Sequence, residues 1–157
     1  MKKIKNGFIT KVKSKLQRDI LDSDQRRLIL EQVIRNFSKA ILKQQPGDKN
    51  GKEVYNLLED LSLEYEQKKL DPFEIYEKAL QEVPNDRRLL KTIVGLLRAR
   101  DARDKNAISY YKKLSEVEPL NFQILSLLLD CYKEQHETFL LKVTYELIIE
   151  RYRKLEE

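Results

Sequence analysis

Tryptophan is absent from this chain, cysteine and histidine occur once each, and glycine and proline four times each in 157 residues. A single cysteine, Cys131, excludes an intrachain disulfide and a multi-cysteine metal site, and it fits a reducing compartment. A single histidine, His136, leaves nucleophilic and metal chemistry without its usual partner. Gly7, Gly47, Gly51 and Gly95 are scattered, so no phosphate-cradling or dinucleotide loop can be assembled from them. No stretch approaches the ~18 apolar residues that cross a bilayer, and the lysines after Met1 precede no continuous apolar region of the secretory kind. What remains is 36% charged and 41% apolar residues with few breakers, a composition suited to long helices. The expected fold is all-α.

Charge is unevenly spread. Residues 1–50 carry 13 Lys/Arg against 5 Asp/Glu, and residues 51–157 carry 18 against 21. The basic beginning can solvate a helix, or bring the chain to an acidic protein, a nucleic acid or an anionic membrane.

Along the chain, Phe8, Val12, Leu16 and Ile20 recur at four-residue steps, which places them on one face of a helix over 8–21, flanked by Lys11, Lys15 and Arg18. Asp22-Ser23-Asp24 offers cap oxygens for a second helix running to about residue 44, with Leu30, Val33, Ile34, Phe37 and Ile41 inward. The breakers in 45–51 predict a loop. It divides an N-terminal helical pair, 1–46, from a second region, 52–157.

That second region repeats. Tyr76-x-x-Ala79-Leu80-x-x-x-Pro84 and Tyr111-x-x-Leu114-Ser115-x-x-x-Pro119 lie 35 residues apart, and Leu58-x-x-Leu61-Ser62-x-x-Tyr65 returns as Leu125-x-x-Leu128-Leu129-x-x-Tyr132. Asp71-Pro72 and Asn85-Asp86 start helices, and Val94-Gly95 supplies a small residue within one. Periods of this size mark stacked helical units that cannot bury their apolar faces alone. The layout resembles the tetratricopeptide repeat, with Leu61-Ser62-x-x-Tyr65, Val94-Gly95 and Ala107-x-x-x-Tyr111 at its signature positions. Units fall at about 54–86, 87–120 and 121–155. Leu90-Lys91-Thr92-x-x-Gly95 and Val117-Glu118-Pro119-Leu120-Asn121 are also similar to SLOW GREEN-type repeat proteins of chloroplasts and cyanobacteria. The resemblance implies a right-handed solenoid of helical hairpins, a partner-binding concave groove, and no catalysis.

Projected by spacing, the groove takes Asn56, Glu59, Leu63 and Glu66 from the first unit, Leu89, Thr92, Ile93, Leu96 and Arg100 from the second, and Gln123, Ser126, Leu127, Asp130 and Lys133 from the third. It would be apolar in the middle and acidic toward the first unit. Chaperone-clamp tetratricopeptide domains carry Lys, Asn and Arg at several such sites; Glu59, Leu63, Ile93, Gln123 and Leu127 stand there instead, so that function does not carry over. An amphipathic helix or extended peptide with apolar anchors and some basic groups fits better. Residues 4–21 have that character themselves, and the two N-terminal helices are expected to cap the stack.

The last helix carries Leu140, Leu147, Ile148, Tyr152 and Leu155 among more apolar positions than one buried face needs, and a solenoid ordinarily closes with a polar outer face. A second contact surface is expected there, for self-association or docking on a larger assembly. No enzyme, metal or cofactor is expected. The leading function is an adaptor or assembly factor, or a subunit of a larger complex, in the cytoplasm, with a plastid stroma as the alternative. The alternatives are nucleic-acid or anionic-membrane binding through the basic N-terminal helix, helped by Arg87, Arg88, Lys91, Arg98, Arg100, Arg103 and Lys105, and a secretion-type chaperone.

Overall fold

The computed structural model describes residues 23–42 and 50–156. The expected helix over 8–21, with Lys11, Lys15 and Arg18, lies outside the described residues. Among those described there are seven helices and no strand. The described part of the protein is all-helical.

The helices are α1 Ser23–Leu42, α2 Asn50–Gln67, α3 Phe73–Glu82, α4 Arg87–Ala99, α5 Lys105–Val117, α6 Phe122–Glu134 and α7 Thr138–Glu156. Asn50 and Gly51, expected in a loop, belong instead to the first turn of α2. The chain divides into two compact units, Met1–Pro84 and Asn85–Glu157.

In the first unit α1 packs on both α2 and α3. Leu30, Val33, Ile34 and Phe37 of α1, Leu57, Leu58, Leu61 and Tyr65 of α2, and Ile75, Tyr76, Ala79 and Leu80 of α3 are all buried. Phe37 meets Tyr55 edge to face, with ring centroids 5.6 Å apart, an arrangement favoured by the ring quadrupoles. Ser62, also buried, hydrogen-bonds Tyr76. Helix α1 is therefore part of this unit's core.

In the second unit α4 packs on α5, α5 on α6 and α6 on α7. Side-chain oxygens start three of these helices: Asp86 accepts from the Leu89 amide at 2.9 Å, Asp104 from Ala107 at 2.9 Å and Asn121 from Ile124 at 3.2 Å. Each satisfies an amide that would otherwise lack a partner. Asp71 does similar service before α3, accepting from Phe73 at 2.9 Å.

Three helix ends are built alike. Leu70 donates to the Tyr65 carbonyl at 2.8 Å, Ala102 to Leu97 at 2.9 Å and Glu137 to Tyr132 at 2.9 Å. Just before each donor, Lys69, Asp101 and His136 sit at φ of 59°, 51° and 56°. These are Schellman turns, the left-handed residue closing the helix so that its last carbonyls find donors. They fix the true correspondence between hairpins, with the left-handed residues 32 and then 35 residues apart. The alignment of Val94-Gly95 with Leu61-Ser62 is thus corrected by one residue. Leu97 is the counterpart of Tyr65 and Tyr132, Ile93 of Leu61 and Leu128, and Leu90 of Leu58 and Leu125.

The turns of the α4–α5 and α6–α7 hairpins lie side by side. Gln135 donates from its side-chain amide to the Arg103 carbonyl at 2.8 Å, and the Arg103 guanidinium reaches Glu134 at 3.4 Å. At the opposite end Arg151 of α7 donates to the carbonyls of Ser115 at 3.1 Å and Pro119 at 3.2 Å. A guanidinium placed there meets both unsatisfied carbonyls and the negative end of the α5 dipole.

Candidate interaction surface

Helix α7 carries ten large apolar side chains, Phe139, Leu140, Leu141, Val143, Tyr145, Leu147, Ile148, Ile149, Tyr152 and Leu155, and none of them is buried. Its one buried residue is Thr144, whose hydroxyl donates to the Leu140 carbonyl at 2.7 Å. Of the nine large hydrophobics that stand exposed among the described residues, six are on this helix, with Phe139 the extreme at 74%. Scattered exposed apolar residues are ordinary; six on one helix are not.

The exposure is organised. Leu140, Thr144, Leu147 and Arg151 follow one stripe, anchored by Thr144 in the interior and by Arg151 on α5. A second stripe, Leu141, Tyr145, Ile148, Tyr152 and Leu155, runs beside it at steps of four and three. Two of its rings are held from α6. Tyr152 stacks on Phe122 with centroids 4.2 Å apart and planes 17° apart, and the Lys133 ammonium lies 5.9 Å from the Tyr145 ring centroid. Of the expected contact residues, Tyr152 and Leu155 are exposed and Leu140, Leu147 and Ile148 are half-buried.

The projected groove fares differently in its middle. Ile93 and Leu89, placed in it by the sequence, are 0% and 1% exposed and belong to the core. The cause is rotational. Taking Val94-Gly95 as equivalent to Leu61-Ser62 sets α4 one residue out of register, and one residue turns a helix by about 100°. With the turns aligned, the positions on α4 that correspond to Asn56, Glu59, Leu63 and Glu66 of α2 are Arg88, Lys91, Gly95 and Arg98. All four are exposed. The α4 face is basic and not apolar. A Cβ added at Gly95 would meet nothing within 4 Å, so this glycine does not serve a close helix approach. Elsewhere Asn56, Glu59, Leu63, Arg100, Gln123 and Asp130 are exposed, while Thr92, Leu96 and Leu127 are half-buried. The α2 residues belong to the first unit and the others to the second.

Much of the basic series is already engaged. Arg87 and Lys91 reach the Glu118 carboxylate at 3.6 and 3.7 Å, the Asn121 amide donates to it at 3.2 Å, and Arg103 meets Asp101 at 3.1 Å. Sequence reasoning missed Glu118 because nothing in its spacing distinguishes it from the solvated acids.

Other hollows are shallow. One of about 500 Å³ runs past Lys105, Ile108, Lys112, Tyr132, Glu137 and Leu140, and another of about 200 Å³ lies between Glu31, Ile34, Arg35 and Lys78. Both mix charges of either sign without a convergent set of catalytic groups. Cys131 is fully buried, and burial pushes its thiol above the ordinary range, which disfavours the nucleophilic thiolate. His136 is exposed at a turn. Among the described residues no three His, Cys, Asp or Glu are grouped to hold a metal, and no helix is long and apolar enough to cross a membrane. No family model matches the chain, and no curated protein is significantly similar to it.

Proposed function

We propose that this protein is a non-catalytic protein-binding module of tetratricopeptide-like hairpins, acting as an adaptor or assembly factor and engaging protein through α7. The observation that carries this is the ten apolar side chains of α7, none buried. Leaving such a face in water forfeits about 25 cal/mol for every Å² that a partner would cover. Support for the hairpin architecture comes from three Schellman turns of one design and from the adjoining turns of the α4–α5 and α6–α7 pairs.

Affinity purification of the full chain from native extract tests this against Ile149→Asp, which puts a carboxylate in the exposed α7 surface. The native chain is expected to retain a defined set of protein chains, its own included, that the variant loses. Equal retention by both would remove α7 as the binding surface. Retention of nucleic acid, released by salt, would favour the electrostatic alternative.

A further inference from the structure

Building on the reading of α7 as a protein-binding surface, we infer that its Leu141–Leu155 stripe is a self-association site. A second copy of this chain packs on it antiparallel, across a two-fold axis passing between Ile148 and Ile149.

The spacing is the first ground. Leu141, Tyr145, Ile148, Tyr152 and Leu155 alternate steps of four and three, the pattern of a seam between two helices. Tyr145, Tyr152 and Leu155 on that seam are 41%, 53% and 52% exposed, and Ile149 on its edge is 51% exposed.

Self-complementarity is the second. A two-fold interface uses the same patch on both copies. When one helix pairs antiparallel with its copy, residues equally far on either side of the axis meet. About an axis between Ile148 and Ile149, Tyr145 comes opposite Tyr152 and Ile148 opposite Ile149. Leu141 and Leu155 fall within one residue of the same relation. The seam therefore reads nearly alike in both directions, as an unrelated partner would not require.

Charge supplies the third ground and selects the direction. Lys142, Ile149 and Glu156 follow one edge of the seam at seven-residue steps. Antiparallel packing brings like edges together, with Ile149 next to its counterpart across the axis and Lys142 within one residue of the level of Glu156 of the second copy at both ends. Parallel packing would set the two Lys142 side chains level with each other, and the two Glu156 likewise. Finally, the Phe122 stack and the Lys133 contact hold the Tyr152 and Tyr145 rings in place, which lowers the ordering cost of association.

Sedimentation or light scattering of the full chain over a wide concentration range tests the pairing. A reversible dimer is expected. Ile149→Asp should weaken it by more than about a hundredfold, because two carboxylates would be buried together at the axis, while circular dichroism keeps its helical signal. Lys142→Glu and Glu156→Lys should each weaken it by roughly tenfold through like charges at both ends, and the two together should restore it. A chain that stays monomeric at every concentration overturns the inference, as does a dimer that the paired charge reversal fails to rescue. If a monomeric chain still holds another protein in a manner abolished by Ile149→Asp, the dimer falls and the protein-binding role of α7 stands. If Ile149→Asp changes neither, both fall.

Discussion

Helices α4 and α7 draw on the same kinds of side chain and use them in opposite ways. Five of the six large apolar residues of α4, Leu89, Leu90, Ile93, Val94 and Leu97, are buried, whereas none of the ten on α7 is. Apolar content alone does not decide burial. On α4 the apolar residues stabilise the monomer; on α7 six of the ten stand exposed and add little to it.

The sharpest way to break that contrast is to truncate one residue of each kind. Ile93→Ala should cost about 2–5 kcal/mol in chemical denaturation, the usual range for a buried aliphatic side chain. Phe139→Ser, at the most exposed apolar position of α7, should stay within about 0.5 kcal/mol. Comparable losses from both would mean that α7 is not surplus.

The helix starts come next in size. Asp86→Ala and Asp104→Ala each remove the acceptor of a 2.9 Å capping bond, and each should lower stability by about 1 kcal/mol. The two caps share no partner, so the losses should add.

A smaller change should run the other way. Gly95 lies within α4 with open space where a Cβ would stand, so Gly95→Ala should raise stability by about 0.5–1 kcal/mol. A repeat in which that glycine admits a neighbouring helix would instead be destabilised. Thermal or denaturant unfolding decides the sign.

Alkaline pH should act on the buried groups. Burial raises the Cys131 thiol from its ordinary 9.0 and the Tyr76, Tyr111 and Tyr132 phenols from 10.0. The folded state then holds protons that the unfolded state releases. This contribution is fully present below pH 9.0 and is lost as pH rises through the raised folded values. Denaturation midpoints should therefore fall above pH 9.0, and Cys131→Ala should remove the earliest part of the fall.

The contrast also shows where sequence suffices. Caps at Asp71 and Asp86 and the inward faces of α1, α2 and α6 were legible because a polar oxygen before an apolar run, or a three-to-four spacing, has one physical meaning. Helix α4 was not legible in the same way. Leu89, Leu90, Ile93, Val94, Leu96 and Leu97 fill so much of its circumference that several rotations look equally amphipathic, and Gly95 selected the wrong one. The Schellman turns settle the rotation, yet their left-handed positions hold Lys69, Asp101 and His136 where glycine would have announced them. On α7 the surplus of apolar residues was visible in sequence. Which of them form the outer seam depends on Thr144 and Arg151 facing inward, and a hydroxyl and a guanidinium are not read as anchors from composition.

Arg151 has one more effect. A helix held by greasy contacts alone can roll about its axis by small angles, trading one aliphatic neighbour for another at little cost. Bonds from one guanidinium to the Ser115 and Pro119 carbonyls are directional and resist such rolling. Arg151→Met would keep most of the side chain's bulk but free the rotation, so that the outward seam would point in a spread of directions, and the proposed association would lose definition before the helix lost its shape.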